Sequence, residues 1–351
     1  MSKLDWLENN IKTINAELIT QAQKKQNSLT KPPGSLGRME DIAIQLSAMQ
    51  KNNEPEIKNI HIAVFASDHG IAEENVSAFP QVVTLEMVKN FARGGAAISV
   101  LAKQLNASLE VINVGTVNEH EAMAGVVVRR VAAGTQNFSK QAAMTIAQLH
   151  AALNVGKDAA QRAIKNSTQL FIGGDMGIAN TASATAIACA LLNEKAENIA
   201  GPGTGLDAAG VSHKASVINA SLKLHKDNMQ SPLEILQYVG GFEIAALTGA
   251  YLFCAQNNCP IVVDGFISSV AALLAIKINS QVKQWMFFSH ASAEPGHKII
   301  MQAIGARPIL DMNMRLGEAS GAAILVPLMQ LACALHNNMA TFEQAGVTDK
   351  D

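Results

Sequence analysis

The chain is expected to be an α/β protein: a mostly parallel sheet flanked by helices, with its ligand loops gathered along one edge. Three observations carry this expectation. Short apolar runs alternate with turns of glycine plus acid and then with small-residue helices, as in Leu170-Phe171-Ile172 before Gly173-Gly174-Asp175, and Pro260-Ile261-Val262-Val263 before Asp264-Gly265. Residues 60–66, I-H-I-A-V-F-A, have the pattern of a buried strand and end in Ser67-Asp68-His69-Gly70. Aromatic residues make up only 4% of the chain, while Ala and Gly are plentiful, a composition suited to helices packed closely on a sheet.

In chain order, Leu4, Leu7, Ile11, Ile14 and Leu18 recur at three- and four-residue spacing and predict a helix over residues 2–28. Thr30-Lys31-Pro32-Pro33-Gly34-Ser35-Leu36-Gly37-Arg38 breaks it with an ordered turn, and helix resumes over 39–50. After a polar linker at 51–58 come the strand at 60–66, helices over 82–91 and 97–105, and a strand over 109–114. The stretch around Arg129-Arg130 and Gly134-Thr135-Gln136-Asn137 reads as loop, and a helix is expected over 145–163. The second half then repeats one cycle, apolar run, glycine with acid, small-residue helix, at 170–172, 238–239, 260–263, 284–288 and 308–310. The tail from Val326 to about Ala345 reads as one further helix.

Composition narrows the function. The 351 residues are 48% hydrophobic and 16% charged, enough apolar material for a sizeable core, in one large domain or two smaller ones. A formal net charge of −2 gives no electrostatic case for nucleic acid. The polar start M-S-K-L-D-W-L-E-N-N does not resemble a secretory signal, and no uninterrupted apolar run is long enough for a bilayer. Cys189, Cys254, Cys259 and Cys333 have no metal-ligand spacing, so a reduced, cytoplasmic setting is expected, with no metal and no cofactor.

The chemistry-bearing stretch is D-M-N-M-R-L-G-E-A-S-G-A-A at 311–323, where Glu318 stands just before a helix of small residues. One role for that carboxylate is structural, favouring the positive end of a helix. The other is a base in a ligand pocket. Glycine loops add to the second role: Gly203 and Gly205 free the backbone to approach an anion, Lys214 follows them, and Gly174 and Gly177 are expected to open a helix whose N–H groups hold a phosphate. Neither loop has the Walker pattern, and G-x-G alone is a weak signal. His69, His213, His290 and His297 read as loop residues.

A series of motifs raises this reading to a resemblance. K-P-P-G-S-L-G-R at 31–38, S-D-H-G at 67–70, N-F-A-R-G-G-A-A-I at 90–98, G-G-D-M-G-I-A-N-T at 173–181, G-P-G-T-G-L-D at 201–207, V-D-G-F-I-S at 263–268, S-H-A-S-A-E-P-G-H at 289–297 and R-L-G-E-A-S-G-A-A at 315–323 fall in order across nearly the whole chain. The chain thereby resembles the nicotinate-nucleotide–dimethylbenzimidazole phosphoribosyltransferase family.

The resemblance implies a large Rossmann-like domain over 31–329, a small helical domain from residues 1–30 and 330–351, and a homodimer. It implies transfer of the phosphoribosyl group of nicotinate mononucleotide to 5,6-dimethylbenzimidazole, with Glu318 as general base and Lys214 on the phosphate. It places Gly174, Asp175, Gly177, Asn180, Gly203, Asp264 and Ser292 at the substrates. In F-P-Q-V-V-T-L-E-M at 79–87, Phe79 and Glu86 fall where the family commonly has Tyr and Gln against the benzimidazole, and Asp175 replaces a Glu. Phe79 keeps a stacking face without a hydroxyl, and Glu86 brings a second carboxylate. Two other functions stay open at this point: the same transfer to another benzimidazole, a purine or a phenol, and a Rossmann-like nucleotide-binding module without catalysis.

Overall fold

The computed structural model describes residues 4–119 and 121–348. Among them are six strands: β1 Ile60–Ser67, β2 Ser108–Gly115, β3 Val126–Val128, β4 Leu170–Met176, β5 Ile261–Val263 and β6 Met286–Phe288. All pair in parallel, in the order β3-β2-β1-β4-β5-β6. The chain leaves central β1 toward β2 and β3, then returns to the other side of β1 at β4. The C-terminal ends of β1 and β4 therefore flank a switch point, the place where open α/β sheets hold ligands. The expected α/β class and Rossmann-like order are both present.

All eight residues of β1 are buried, as an inner strand covered on both faces requires. Layer spacing is set in β4 by two glycines. A Cβ on Gly173 would meet Leu247 and Tyr251 of the Phe242–Gln256 helix, and one on Gly174 would meet Glu318 and Ala319. Adjacent strand residues point to opposite faces, so this helix covers one face and the segment leading into the Ser320–Asn338 helix covers the other. On the first face the Ile146–Lys165 helix packs backbone to backbone against Phe242–Gln256. A Cβ on Gly156 would stand 1.7 Å from the Ala246 carbonyl oxygen, and one on Gly249 would stand 2.2 Å from that of Leu153.

Several elements differ from expectation. Helix does not run through 2–28: a 3-10 turn at Asp5–Glu8 is followed by non-helical chain up to Asn15, which caps Ala16–Ser28. Both pieces are tied to the rest of the molecule: Trp6 of the turn donates to Asn154, and Trp285 donates to the Lys12 carbonyl of the chain after it. The three-residue edge strand β3 lies in a stretch whose sequence reads as loop. Tyr238-Val239 ends a helix, Pro232–Val239, and forms no strand. Residues 308–310 make only an isolated parallel bridge, His290 to Leu310. The small-residue helix expected after Glu318 and the tail helix expected from Val326 are one helix, Ser320–Asn338, which runs through Pro327; a short helix, Phe342–Ala345, follows. Ser320–Asn338 is long and apolar enough by composition to cross a membrane. It lies in the core, with Ala322, Ala323, Leu325, Val326 and Met329 buried.

The turn at 30–38 is closed by one acid. Glu40 accepts N–H bonds from Gly34 and Leu36 and pairs with Lys31 at 2.8 Å. The termini meet beyond it: Thr30 N–H donates to the Ala340 carbonyl, and Gln26 bonds buried His336 at 2.8 Å.

Because Gly156 leaves no room for a methyl group, Gly156→Ala is expected to lower unfolding stability by about 2 kcal/mol or more. The urea midpoint measures this, and a midpoint equal to wild type would show that the two helices are not in backbone contact.

Candidate active site

The loops after β1, β4, β5 and β6, with residues 315–318, enclose a cavity of about 320 Å³ at the switch point. Its back wall is built by Asp264, immediately after β5. Asp264 is fully buried, and its carboxylate accepts N–H bonds from Ala319 at 3.1 Å and Ala322 at 2.9 Å. It thus caps the Ser320–Asn338 helix from a neighbouring strand, because the helix has no side-chain cap of its own.

That cap holds an unusual turn. Gly317, Glu318 and Ala319 all have left-handed backbone, with φ of 84°, 62° and 70°. For the two non-glycine residues this costs on the order of 1–3 kcal/mol each. The turn holds Glu318 just before the helix, as the sequence suggested, and sets its side chain on the cavity wall. The residue is 6% exposed, and Oε2 has no hydrogen-bond partner. Burial raises the proton affinity of Glu318 above the ordinary carboxylate value of 4.5, the Ile98 N–H opposes this, and the nearby Asp264 charge reinforces it. The backbone group it meets belongs to the Ala97–Gln104 helix rather than to its own.

Beside this turn, Asp175 lies within β4 rather than in a loop after it. Ser268 and Asn180 donate to its two oxygens at 3.3 and 3.1 Å. Burial, with the charges of Asp264 and Glu243, pushes its pKa up to about 8 despite those bonds. Asp175 is therefore mostly a neutral acid at pH 7. Gly177 is pressed onto the Ser67 carbonyl and the His69 ring, where a side chain would not fit. His69 itself is fully buried, pairing with Glu243 at 2.7 Å and with Ser183 at 3.0 Å, so the S-D-H-G motif supports the floor and does not line it.

Of the residues singled out in the sequence, Glu318, Phe79, Asp175, Gly177, Asn180, Gly203, Asp264 and Ser292 line the cavity. Three do not. Gly174 is a buried residue of β4 and opens no helix; that helix begins at Asn180. Lys214 is 1% exposed and lies behind the wall, its ammonium donating to the Gly201 carbonyl at 2.7 Å and to Thr181 at 3.3 Å. Burial lowers its pKa to about 8, with Glu294 opposing the fall. Glu86 is exposed on the Val82–Arg93 helix, whose inner side is taken by Thr84, Leu85, Val88 and Phe91. The cavity also recruits residues that were given no role: Thr181, Thr204, His290, Glu294 and Arg315. Their signal was the motif series itself: Thr181 closes G-G-D-M-G-I-A-N-T, Thr204 lies in G-P-G-T-G-L-D, His290 and Glu294 lie in S-H-A-S-A-E-P-G-H directly after a strand, and Arg315 stands three residues before Glu318.

A phosphoribosyltransferase family model matches residues 11–347. Curated proteins named nicotinate-nucleotide–dimethylbenzimidazole phosphoribosyltransferase match over nearly the whole chain. That of Pseudomonas putida is 52% identical over 345 residues, covering 98% of each chain. That of Pseudomonas aeruginosa is 50% identical over 347 residues, covering 99% of each. A crystal structure of the enzyme of that name from Thermus thermophilus superposes with a TM-score of 0.90 at 39% identity, covering 96% of this chain and all of the other. The motifs, the sheet order and these full-length likenesses agree: the chain belongs to the nicotinate-nucleotide–dimethylbenzimidazole phosphoribosyltransferase family.

Proposed function

We propose that the protein transfers the 5-phosphoribosyl group of nicotinate mononucleotide to 5,6-dimethylbenzimidazole, releasing nicotinate and α-ribazole 5′-phosphate for the cobalamin nucleotide loop. The observation that carries the mechanism is Glu318: a buried carboxylate with one unpartnered oxygen on the wall of a cavity at the switch point.

One carboxylate suffices for this chemistry. The leaving group is a pyridinium. When its bond to C1′ breaks, the electron pair returns to the ring nitrogen and nicotinate departs without needing a proton, unlike the leaving group of glycoside hydrolysis. One benzimidazole nitrogen attacks C1′ from the opposite face, turning the β-linked ribose into an α-linked one. The other nitrogen then carries a proton made acidic by the new bond. Glu318 accepts that N–H bond, orients the acceptor and takes the proton. Its raised proton affinity brings the base closer to its task at neutral pH.

The remaining groups handle charge and position. Neutral Asp175 removes one negative charge from a wall that faces a phosphate-bearing substrate. Gly203, Lys214 and Arg315 gather at one side, with Arg315 donating to the Gly203 carbonyl at 3.0 Å, and we place the phosphate there. The Phe79 ring, 51% exposed at the mouth, offers an aromatic face to the acceptor. We also propose that the meeting of the termini marks a small helical domain, 1–30 with 330–351, beside the large one. We propose a homodimer in the cytoplasm, for which exposed Phe79 and Leu316 supply apolar surface at the cavity mouth. Incubation with nicotinate mononucleotide and dimethylbenzimidazole, read as nicotinate released, tests the reaction. A panel of benzimidazoles, purines and phenols tests the acceptor.

Glu318→Gln is expected to keep the fold and nucleotide binding while slowing single turnover by about a hundred- to ten-thousandfold. Near-normal turnover with lowered melting temperature would return Glu318 to a helix-end role. In the wild type, activity is lost as pH falls through the raised Glu318 pKa, so the acid limb of kcat/KM is expected above pH 4.5; a limb at or below that value contradicts a desolvated base. Lys214→Ala is expected to raise KM for the nucleotide about tenfold or more with a smaller change in kcat. An unchanged KM removes Lys214 from phosphate binding. Glu86 is exposed and does not line the cavity, so Glu86→Gln is expected to match or exceed wild-type activity with dimethylbenzimidazole, and a large loss in the same assay would give Glu86 a role of its own.

A further inference from the structure

The phosphate side of the cavity holds an acid that the mechanism above does not use. Glu294 is 6% exposed, and its Oε1 accepts the Gly203 N–H at 3.1 Å. Its Oε2 is buried without a partner and lies so close to Gly201 that a Cβ there would stand 2.1 Å away. The 201–205 loop is therefore folded around this carboxylate, and Gly201 is the residue that lets it close.

Glu294 is also the N-cap residue of the Pro295–Ile304 helix, yet its side chain makes no cap bond there. Its own N–H is taken by Ser292 Oγ at 3.3 Å. The carboxylate is thus turned away from the helix it could serve and toward the loop. The charged groups acting on it are Lys214 and Arg315, and Glu294 is the charged group acting on Lys214. Both cations are themselves fastened to that loop, Lys214 through the Gly201 carbonyl and Arg315 through the Gly203 carbonyl.

We propose that Glu294 is a positioning residue for the nucleotide phosphate: it clamps the 201–205 loop through the Gly203 N–H and, as a buried negative charge beside Lys214 and Arg315, keeps the buried Lys214 ammonium charged and both cations aimed at one anion seat. The inference rests on the reading that this cavity takes a phosphoribosyl nucleotide. A cation sunk in a protein interior loses its proton readily unless an anion accompanies it. Lys214, with a pKa of about 8 even beside Glu294, has little margin left at neutral pH.

Two substitutions separate the clamp from the charge. Glu294→Gln keeps an acceptor for Gly203 and removes the charge. Glu294→Asp keeps the charge and shortens the reach by one methylene. Binding of nicotinate mononucleotide and of inorganic phosphate is measured by calorimetry from pH 6 to 9, beside kcat and KM. In the wild type, affinity is expected to fall as pH rises through about 8. In Glu294→Gln that fall moves to lower pH, with affinity reduced on the order of tenfold at pH 8 and kcat at saturation nearly unchanged. In Glu294→Asp the fall stays near wild-type pH while affinity drops at every pH. A Glu294→Gln protein with wild-type affinity and pH dependence overturns the proposal, as does one that loses kcat with KM unchanged. If Glu294→Gln does not fold, the Glu294→Asp profile decides alone, and a fall moved to lower pH overturns the proposal. Nicotinate release by the wild type is scored separately, so failure of the clamp and failure of the proposed reaction give different results.

Discussion

The site depends on one carboxylate, that of Asp264, bound to the backbone N–H groups of Ala319 and Ala322. A helix that begins with small apolar residues cannot cap itself, and its first N–H groups are buried here, so an outside acceptor is required. Supplying it from the end of β5 fastens helix to sheet at the switch point. The same bonds hold residues 317–319 in left-handed backbone, which no local preference would maintain for Glu and Ala. Asp264 accordingly decides where Glu318 points. Its neighbours are cut to fit: Gly174 leaves room for Ala319, and Gly321 lies where any side chain would strike the His290 ring.

The second constraint is charge. Asp175, Asp264, Glu294 and Glu318 all border a cavity whose lining includes a single guanidinium, Arg315. Four ionised carboxylates there would repel a phosphorylated substrate. Burial raises the proton affinity of each of them, and each takes a different role. Asp175 becomes a neutral acid, Asp264 is spent on the backbone, Glu294 faces buried Lys214 and exposed Arg315, and Glu318 keeps an oxygen unengaged. Residues of one chemical type are thus sorted by their partners and their depth.

Much of this was legible in the sequence. Strand β1 was visible because a strand covered on both faces must be apolar throughout, and the helix expected over 145–163 is present as Ile146–Lys165. The motif series located Glu318, Asp175, Asp264, Gly203 and Ser292, all of which do meet around one cavity. Elements bounded by tertiary contact were not legible. β3 is three residues long and exists because β2 offers it an edge. Tyr238-Val239 looks like a strand for the same reason that any buried helix end is apolar.

The sequence by itself determined the layered α/β architecture, through the periodicity of burial and the glycines required where backbones approach, and its motif series, through the resemblance to a known family, named most of the residues that line the site. Only the tertiary structure decided what each side chain does. It turned Glu86 to solvent, put Gly174 inside a strand, set His69 beneath the floor and wrapped the 201–205 loop around Glu294. The physical reason is that a carboxylate's or ammonium's role is set by which groups stand within hydrogen-bonding reach and by how much water remains around it. Those groups come from strands and loops more than a hundred residues apart, as Asp175 and Glu318 do, and no local pattern in the chain encodes their meeting.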